Sequence, residues 1–454
     1  MLSSSTQLAD QIKGRVIGPD DPGYDEARTT FYGWIDRRPA MIVRVADADD
    51  VARVVRTARE SGLELAVRSG GHSVAGHSVS EGGIVLDLSE LKGLDIDPEA
   101  RTAWAQTGLT AGEYTAAAGV HGLATGFGDT GSVGIGGITL GGGVGFLVRK
   151  HGLTIDDLLA AEVVTADGEL LHVDDESHPD LFWAIRGGGG NFGVATRFQF
   201  RLHPVDTFVG GMLFLPATPE LIAGFVAEAE AAPEELSTIA NVMTAPPMPF
   251  IPAERHGKPL VMAFIAYAGP VDEGERVIAP FRALAEPVAD MVRPMAYAEM
   301  YPPEEEEYSA IATARTMLVN GIDVDAARTI LERIEESSAM MAATQIRVLG
   351  GAMARVAPDA TAFAHRRSPI MVNVAAIYQR PEERVVHEAW VNGLSKRLEQ
   401  GDAGAYVGFL ADEGEERVRA AYPGATWDRL AAVKRRYDPD NLFRLNQNVP
   451  PAAG

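Results

Sequence analysis

"VRSGGHSVAGHSV", residues 67–79, places a histidine directly after two glycines at the end of a predicted strand, and the fold is decided here. Glycine pairs admit dihedrals closed to other residues and let a backbone approach a flat or anionic group closely, at a cost in conformational entropy. The flanks give the frame. "RRPAMIVRVA" (37–46) reads as a strand, and Asp47 or Asp49 then caps a helix carrying Val51, Val54, Val55 and Ala58 on one face. "LELAVR" (63–68) and "GGIVLDLS" (82–89) are further strands, so the histidine loop sits at a strand end of a β-α-β unit, where folds place ligands.

Further along, "TAGEYTAAAGVHG" (110–122) predicts a helix opened by a Thr-Glu capping box. The segment 125–152, "TGFGDTGSVGIGGITLGGGVGFLVRKHG", carries too much glycine for an ordinary helix or strand. "AAEVVTADGELLHV" (160–173) predicts a hairpin around Asp167-Gly168, and "NFGVATRFQFRLHP" (191–204) a half-buried strand. From 206 to 403, the strand-like runs "FVGGMLFLP", "PLVMAFIAYAG", "AATQIRVLGGAMARV" and "PIMVNVAAIYQ" alternate with acidic amphipathic helices such as "DAARTILERIEES". That pattern predicts an antiparallel sheet backed by helices. "PEEEEY" (303–308) reads as a solvated charge run, and the tail 429–451 as a helix stopped at Asp438-Pro439 with a polar strand or loop after it.

Composition narrows the chemistry. The 454 residues carry a net charge of −23, which repels nucleic acid and anionic membrane surfaces, and contain no cysteine, so disulfides, thiolate zinc sites and thiol nucleophiles are excluded. No apolar run reaches the ~18 residues of a spanning helix, and "MLSSSTQLADQIKGRV" has neither a basic leader nor an apolar core, so a cytoplasmic enzyme is expected. Gly126, Gly128 and Gly131 fit G-x-G-x-x-G with Asp156 and Asp157 downstream, but the required strand before and helix within are missing. No P-loop, no second histidine after "HEAW" and no G-x-S-x-G elbow occur, so nucleotide hydrolysis, zinc proteolysis and serine hydrolysis lack their residues. No metal site is expected.

What remains is glycine-rich backbone at "SGGHS", "GFGDTGSVGIGGITLGGGVG" and "RGGGGNFG". Amide nests of this kind suit a pyrophosphate, and glycine walls suit a large flat ring. With "YDPDNLFRLNQN" (437–448), these stretches resemble the FAD-linked oxidases of the vanillyl-alcohol oxidase and berberine bridge enzyme type. The resemblance implies an α+β fold. An FAD-binding domain of the vanillyl-alcohol oxidase (PCMH) type is formed by residues 1–205 and 404–454, and a substrate domain, 206–403, on an antiparallel sheet is inserted between them.

In that family the histidine of G-G-H is joined through its imidazole to the methyl group on the flavin's dimethylbenzene ring. The implied attachment is His72, with a buried core histidine as the ordinary alternative. Many relatives add a cysteinyl link; Thr130 stands at that position, so only the histidyl link is implied, as in the singly linked subgroup similar to hydroxynicotine oxidase. The implied cofactor contacts are Arg68, Ser69, Gly70, Gly71, Ser73, His77, Gly128, Asp129, Thr130, Ser132, Val133, Gly134, Gly136, Gly137, Gly142, Gly145, Gly193, Val194, Asn446 and Asn448. Asp156 and Asn191 fix the cofactor or its loops, or are turn residues. Val133 resembles the position that admits or blocks oxygen, and a valine implies a permissive gate, hence an oxidase.

The family reaction takes a hydride from a substrate C–H to flavin N5, with O2 returning the flavin to its oxidised form and giving H2O2. Tyr406 in "GAYVGFLAD" resembles the family's base, with Gly408 in place of the motif's asparagine; a packed tyrosine on a strand is the other reading. Gln345 and Arg347 alternate on "TQIRV" and are expected to line the substrate cavity, with Arg347 favouring an acidic or phenolic substrate over a cationic amine. The expected partners are a small organic substrate (alcohol, amine or phenolic) and O2, for a monomer or homodimer. A dehydrogenase or reductase with another acceptor, and a drug-sequestering resistance protein, are the alternatives.

Overall fold

The computed structural model describes residues 8–302, 311–401 and 404–453. The acidic run 303–308 lies outside the described residues.

The β-α-β expectation holds around the histidine loop. Strands Met41–Arg44, Ile84–Asp87 and Leu65–Arg68 lie side by side and parallel, with Arg15–Ile17 antiparallel at the edge. The helix Ala48–Ser61 crosses between the first two in sequence: Asp47 accepts the Asp50 N–H as its cap, Val51, Val54, Val55 and Ala58 are buried, and Gly62 ends it at φ +67. A second, antiparallel sheet of five strands follows in the order Leu94–Asp97, Thr102–Gln106, Val194–Arg201, Leu158–Val164, Leu170–Val173. Its last two strands are the hairpin expected at Asp167-Gly168. Thr110 caps the helix Ala111–Gly119, accepting the Glu113 N–H while the Glu113 carboxylate accepts the Thr110 N–H.

The glycine-dense segment departs from its sequence reading, because it contains the helix Ile135–Gly141. Packing overrides propensity here: a Cβ on Gly134, just before the helix, would stand 2.2 Å from the Gly70 nitrogen, so glycine lets the start of this helix lie against the histidine loop.

The third sheet is antiparallel and has eight strands. They run Ala289–Asp290, Val209–Pro216, Pro259–Tyr267, Leu236–Thr244, Met341–Val348, Ile370–Tyr378, Ile311–Val319, with Arg293–Pro294 also beside Val209–Pro216. Helices Pro219–Ala231, Val271–Ala283, Val324–Glu335 and Arg384–Leu398 share a core with one face. The opposite face meets the glycine-rich region, where Val144, Val148, Leu153 and Ile155 pack with Leu318 and Met371. Met341–Val348 stops short of its predicted length because Gly350 and Gly351 take positive φ, after which Ala352–Arg355 turns helical.

The tail helix Ala425–Tyr437 ends at Asp438, as read, and the chain after it is a loop. Lys434, 0 % exposed, ties that loop down: its ammonium donates to Asp438 at 2.7 Å and to the Asn191 and Phe443 carbonyls at 2.7 and 2.9 Å. No helix among the described residues is long and apolar enough to cross a membrane.

Candidate active site

The loop after Leu65–Arg68 forms one wall of a long cavity. Its volume, about 380 Å³, lies within the ~300–1,000 Å³ of an ordinary small-ligand pocket. The separate glycine-rich stretches and the tail meet there. Ser69, Gly70, Gly71, His72, Ser73, His77, Gly128, Asp129, Thr130, Val133, Gly134, Gly136, Gly137, Gly193, Val194, Tyr406 and Asn446 all line it.

The two glycines before His72 serve different ends. A Cβ on Gly70 would stand 2.2 Å from the Gly134 nitrogen, so this glycine lets two backbones touch, and Gly71 turns the chain at φ +76. The N–H groups of Gly70, Gly71, His72 and Ser73 meet no acceptor among the described residues, which leaves an amide nest on the cavity wall. His72 is clamped: Phe31 stacks on its ring at 3.9 Å and 22°, and Ser132 Oγ lies 2.9 Å from its Nε2. Burial lowers its pKa to about 4, so the imidazole is neutral at pH 7. His77 is likewise lowered to about 4, by burial first and the Arg37 charge second.

Several residues named from the sequence stand behind the wall. Arg68 is buried on Asp87 at 2.9 Å and on the Ala27 and Thr29 carbonyls. Ser132 reaches the site through His72. Gly142 turns at φ +127, and a Cβ on Gly145 would collide with the Phe127 carbonyl, so both answer to backbone packing. Asp156 holds the fully buried Arg366 at 2.7 and 2.8 Å and accepts the Leu153 N–H. Asn191 donates to the Gly188 and Gln447 carbonyls and accepts the Val449 N–H, tying "RGGGGNFG" to the tail. Both are loop-fixing residues in this geometry. Asn448 is off the wall, yet its Oδ1, like that of Asn446, is buried without a partner.

Three readings need correction. Tyr406 is not on a strand; it precedes the 3-10 turn Val407–Phe409, is 3 % exposed, and its phenol oxygen accepts the Gly143 N–H at 3.1 Å. Burial raises its pKa above the usual phenol value, the opposite of what a base requires. Gln345 and Arg347 do share a sheet face, but neither lines the cavity. Nor is the Arg347 guanidinium free to select an acidic substrate: it meets Asp129 at 2.5 Å, the Val144 carbonyl at 3.0 Å and Gln345 Oε1 at 2.9 Å. Phe31 and Tyr32 line the cavity without having been singled out from the sequence; they come from a loop, "TTFYGW", with no motif to mark it.

The donor set fits FAD. The amide nest suits a diphosphate, Asn446 offers an unpartnered acceptor on the wall, and Gly137 and Gly190 present open space where a Cβ would intrude. Fold and cavity together define an FAD-dependent oxidoreductase.

Comparison with known proteins agrees. The FAD binding domain model matches residues 39–174, and the "Berberine and berberine like" model residues 405–450. The chain is 32 % identical to (R)-6-hydroxynicotine oxidase of Paenarthrobacter nicotinovorans, with 99 % of each chain covered. It is 30 % identical to an uncharacterized FAD-linked oxidoreductase, YgaK, of Bacillus subtilis, over 97 % of this chain and 98 % of the relative. The crystal structure of 6-hydroxy-D-nicotine oxidase from Arthrobacter nicotinovorans superposes with a TM-score of 0.87 at 29 % identity, covering 97 % and 98 % of the two chains. The protein belongs to the berberine bridge enzyme-like family of FAD-linked oxidases.

Proposed function

We propose that this protein is an oxidase carrying FAD covalently on His72, which oxidises a small organic substrate and passes the electrons to O2 with release of H2O2. The observation that carries the reading is the half-buried, neutral His72 imidazole, held on the cavity wall between Phe31 and Ser132 beside an amide nest.

Bound FAD supplies the two-electron acceptor. The Gly70–Ser73 amides would hold its diphosphate, and Asn446, on the wall, would accept from one of its N–H or O–H groups. With Nε2–H donating to Ser132, the lone pair of His72 sits on Nδ1, where the new bond forms. A C–N bond there to the flavin's ring methyl group would replace one imidazole N–H and one methyl C–H, with the two electrons and two protons released passing to O2. Tyr406 keeps its proton on Oη, because burial disfavours the phenolate and the oxygen already accepts from Gly143; its O–H orients the substrate as a donor. Val133 leaves the oxygen approach unblocked.

Stopped-flow mixing of the substrate-reduced protein with O2 tests the choice of acceptor. Rapid return of the oxidised flavin spectrum with one peroxide per substrate is expected. Slow return with fast transfer to a quinone indicates a dehydrogenase, and tight stoichiometric binding without peroxide indicates sequestration.

A further inference from the structure

The walls of the cavity carry almost no charge. Among the described lining residues Asp129 is the single carboxylate, no lysine or arginine is present, and His72 and His77 are held neutral by burial. Asp129 is itself paired with Arg347, which is 4 % exposed and comes from the facing sheet. Each nitrogen of that guanidinium is engaged: Nη2 on Asp129, Nη1 on the Val144 carbonyl, Nε on Gln345. Its plane also lies 5.0 Å from the ring centre of Phe409, another lining residue. The chain of bonds continues across the sheet, Gln345 Nε2 to Asn241 Oδ1 at 3.1 Å and Asn241 Nδ2 to the Met262 carbonyl at 3.3 Å. Arg347 and Asp129 therefore cancel in charge, Arg347 spending three of its five N–H donors on these bonds.

Tyr32 and Phe409 supply flat apolar surface on the lining.

We infer that the substrate is an uncharged ring compound, and that the Asp129–Arg347 pair sets this preference by cancelling the charge at the site. An anion meets Asp129 with no free cation to offset it. A cation meets Asp129 already neutralised and must lose its hydration for little return. The inference rests on the cavity holding FAD as proposed above.

Three probes of one shape test it: benzyl alcohol, benzoate and benzylamine, titrated at pH 7 into the FAD-loaded protein and followed by the shift of the flavin absorption band. Benzyl alcohol is expected to bind about tenfold or more tightly than either charged probe, the scale of one desolvated charge-assisted hydrogen bond. Asp129→Asn, which leaves Arg347 unpaired, is expected to improve benzoate binding about tenfold. Arg347→Gln is expected to do the same for benzylamine, and the double variant Asp129→Asn with Arg347→Gln to return the preference to benzyl alcohol. The double variant also keeps the test available if an unpaired charge prevents a single variant from folding. Equal or tighter binding of a charged probe by the unaltered protein overturns the inference, as does failure of benzyl alcohol to bind or a preference that stays fixed in the variants. A protein that takes up no FAD sinks the underlying reading instead; calorimetric titration of the same probes into it then tests the charge preference directly.

Discussion

Replacing Lys434 by methionine removes an ammonium that no solvent reaches and leaves Asp438, also 0 % exposed, as an unpaired buried charge. Asp438 keeps the N–H groups of Leu442 and Phe443 at 2.8 and 2.9 Å, but loses its cation at 2.7 Å, and the Asn191 and Phe443 carbonyls lose a donor. Breaking a buried pair from one side costs about 3–5 kcal/mol, and that figure is the expected loss on urea denaturation of the FAD-free protein. The damage has a direction, because the loop after Asp438 carries Asn446 and Gln447 to the cavity; FAD content, read as the ratio of flavin to protein absorbance, is expected to fall with stability. Lys434→Met combined with Asp438→Asn keeps acceptors for the two amides without the charge, and is expected to regain about 2 kcal/mol or more. A single variant within about 1 kcal/mol of the unaltered protein, or a double variant no better than the single, refutes the reasoning.

Other outcomes are equally specific. His72 and His77 are neutral in the fold with pKa values lowered to about 4, whereas the unfolded chain binds protons near 6.5. Between those values the unfolded state holds more protons, so the FAD-free protein loses up to about 1.4 kcal/mol per histidine for each unit the pH falls, and the slope flattens below about 4; melts from pH 7 to pH 4 check this. Gly70→Ala forces a methyl group to 2.2 Å from Gly134 and is expected to cost about 1–3 kcal/mol together with FAD. Gly137→Ala meets nothing within 4 Å and removes a helical glycine, so it is expected to stabilise the FAD-free protein by up to about 1 kcal/mol while weakening FAD binding. Phe31→Ala and Ser132→Ala free the His72 ring, and in both the acid-stable fraction of flavin is expected to accumulate more slowly than in the unaltered protein.

Legibility in the sequence followed how local the physics was. The helix Ala48–Ser61 has its cap, its apolar spacing and its terminal glycine within one stretch, and the hairpin at Asp167-Gly168 has its turn residues between two apolar runs. The strand Leu236–Thr244 was missed because eight of its nine residues are buried, so no alternation marks it. The helix Ile135–Gly141 was missed because its glycines serve contacts with the histidine loop that only the fold brings close. The same division runs through the site. His72 is legible from its neighbours in the chain, whereas the Asp129–Arg347 pair joins residues 218 positions apart, and reading Arg347 from its own strand left its charge uncompensated. Tyr406 shows the limit from another side, since neither its turn nor the Gly143 amide at its oxygen is written in "GAYVGF".

The tether between protein and cofactor is tested most directly by proteolysis of the acid-denatured protein followed by mass spectrometry. The account predicts a yellow peptide containing residues 67–79, heavier than its sequence by one FAD less two hydrogens, with fragmentation placing the addition on His72 and its absence in His72→Ala. Recovery of that peptide at its bare mass from a protein that had bound FAD, or of the addition on His77, would contradict it.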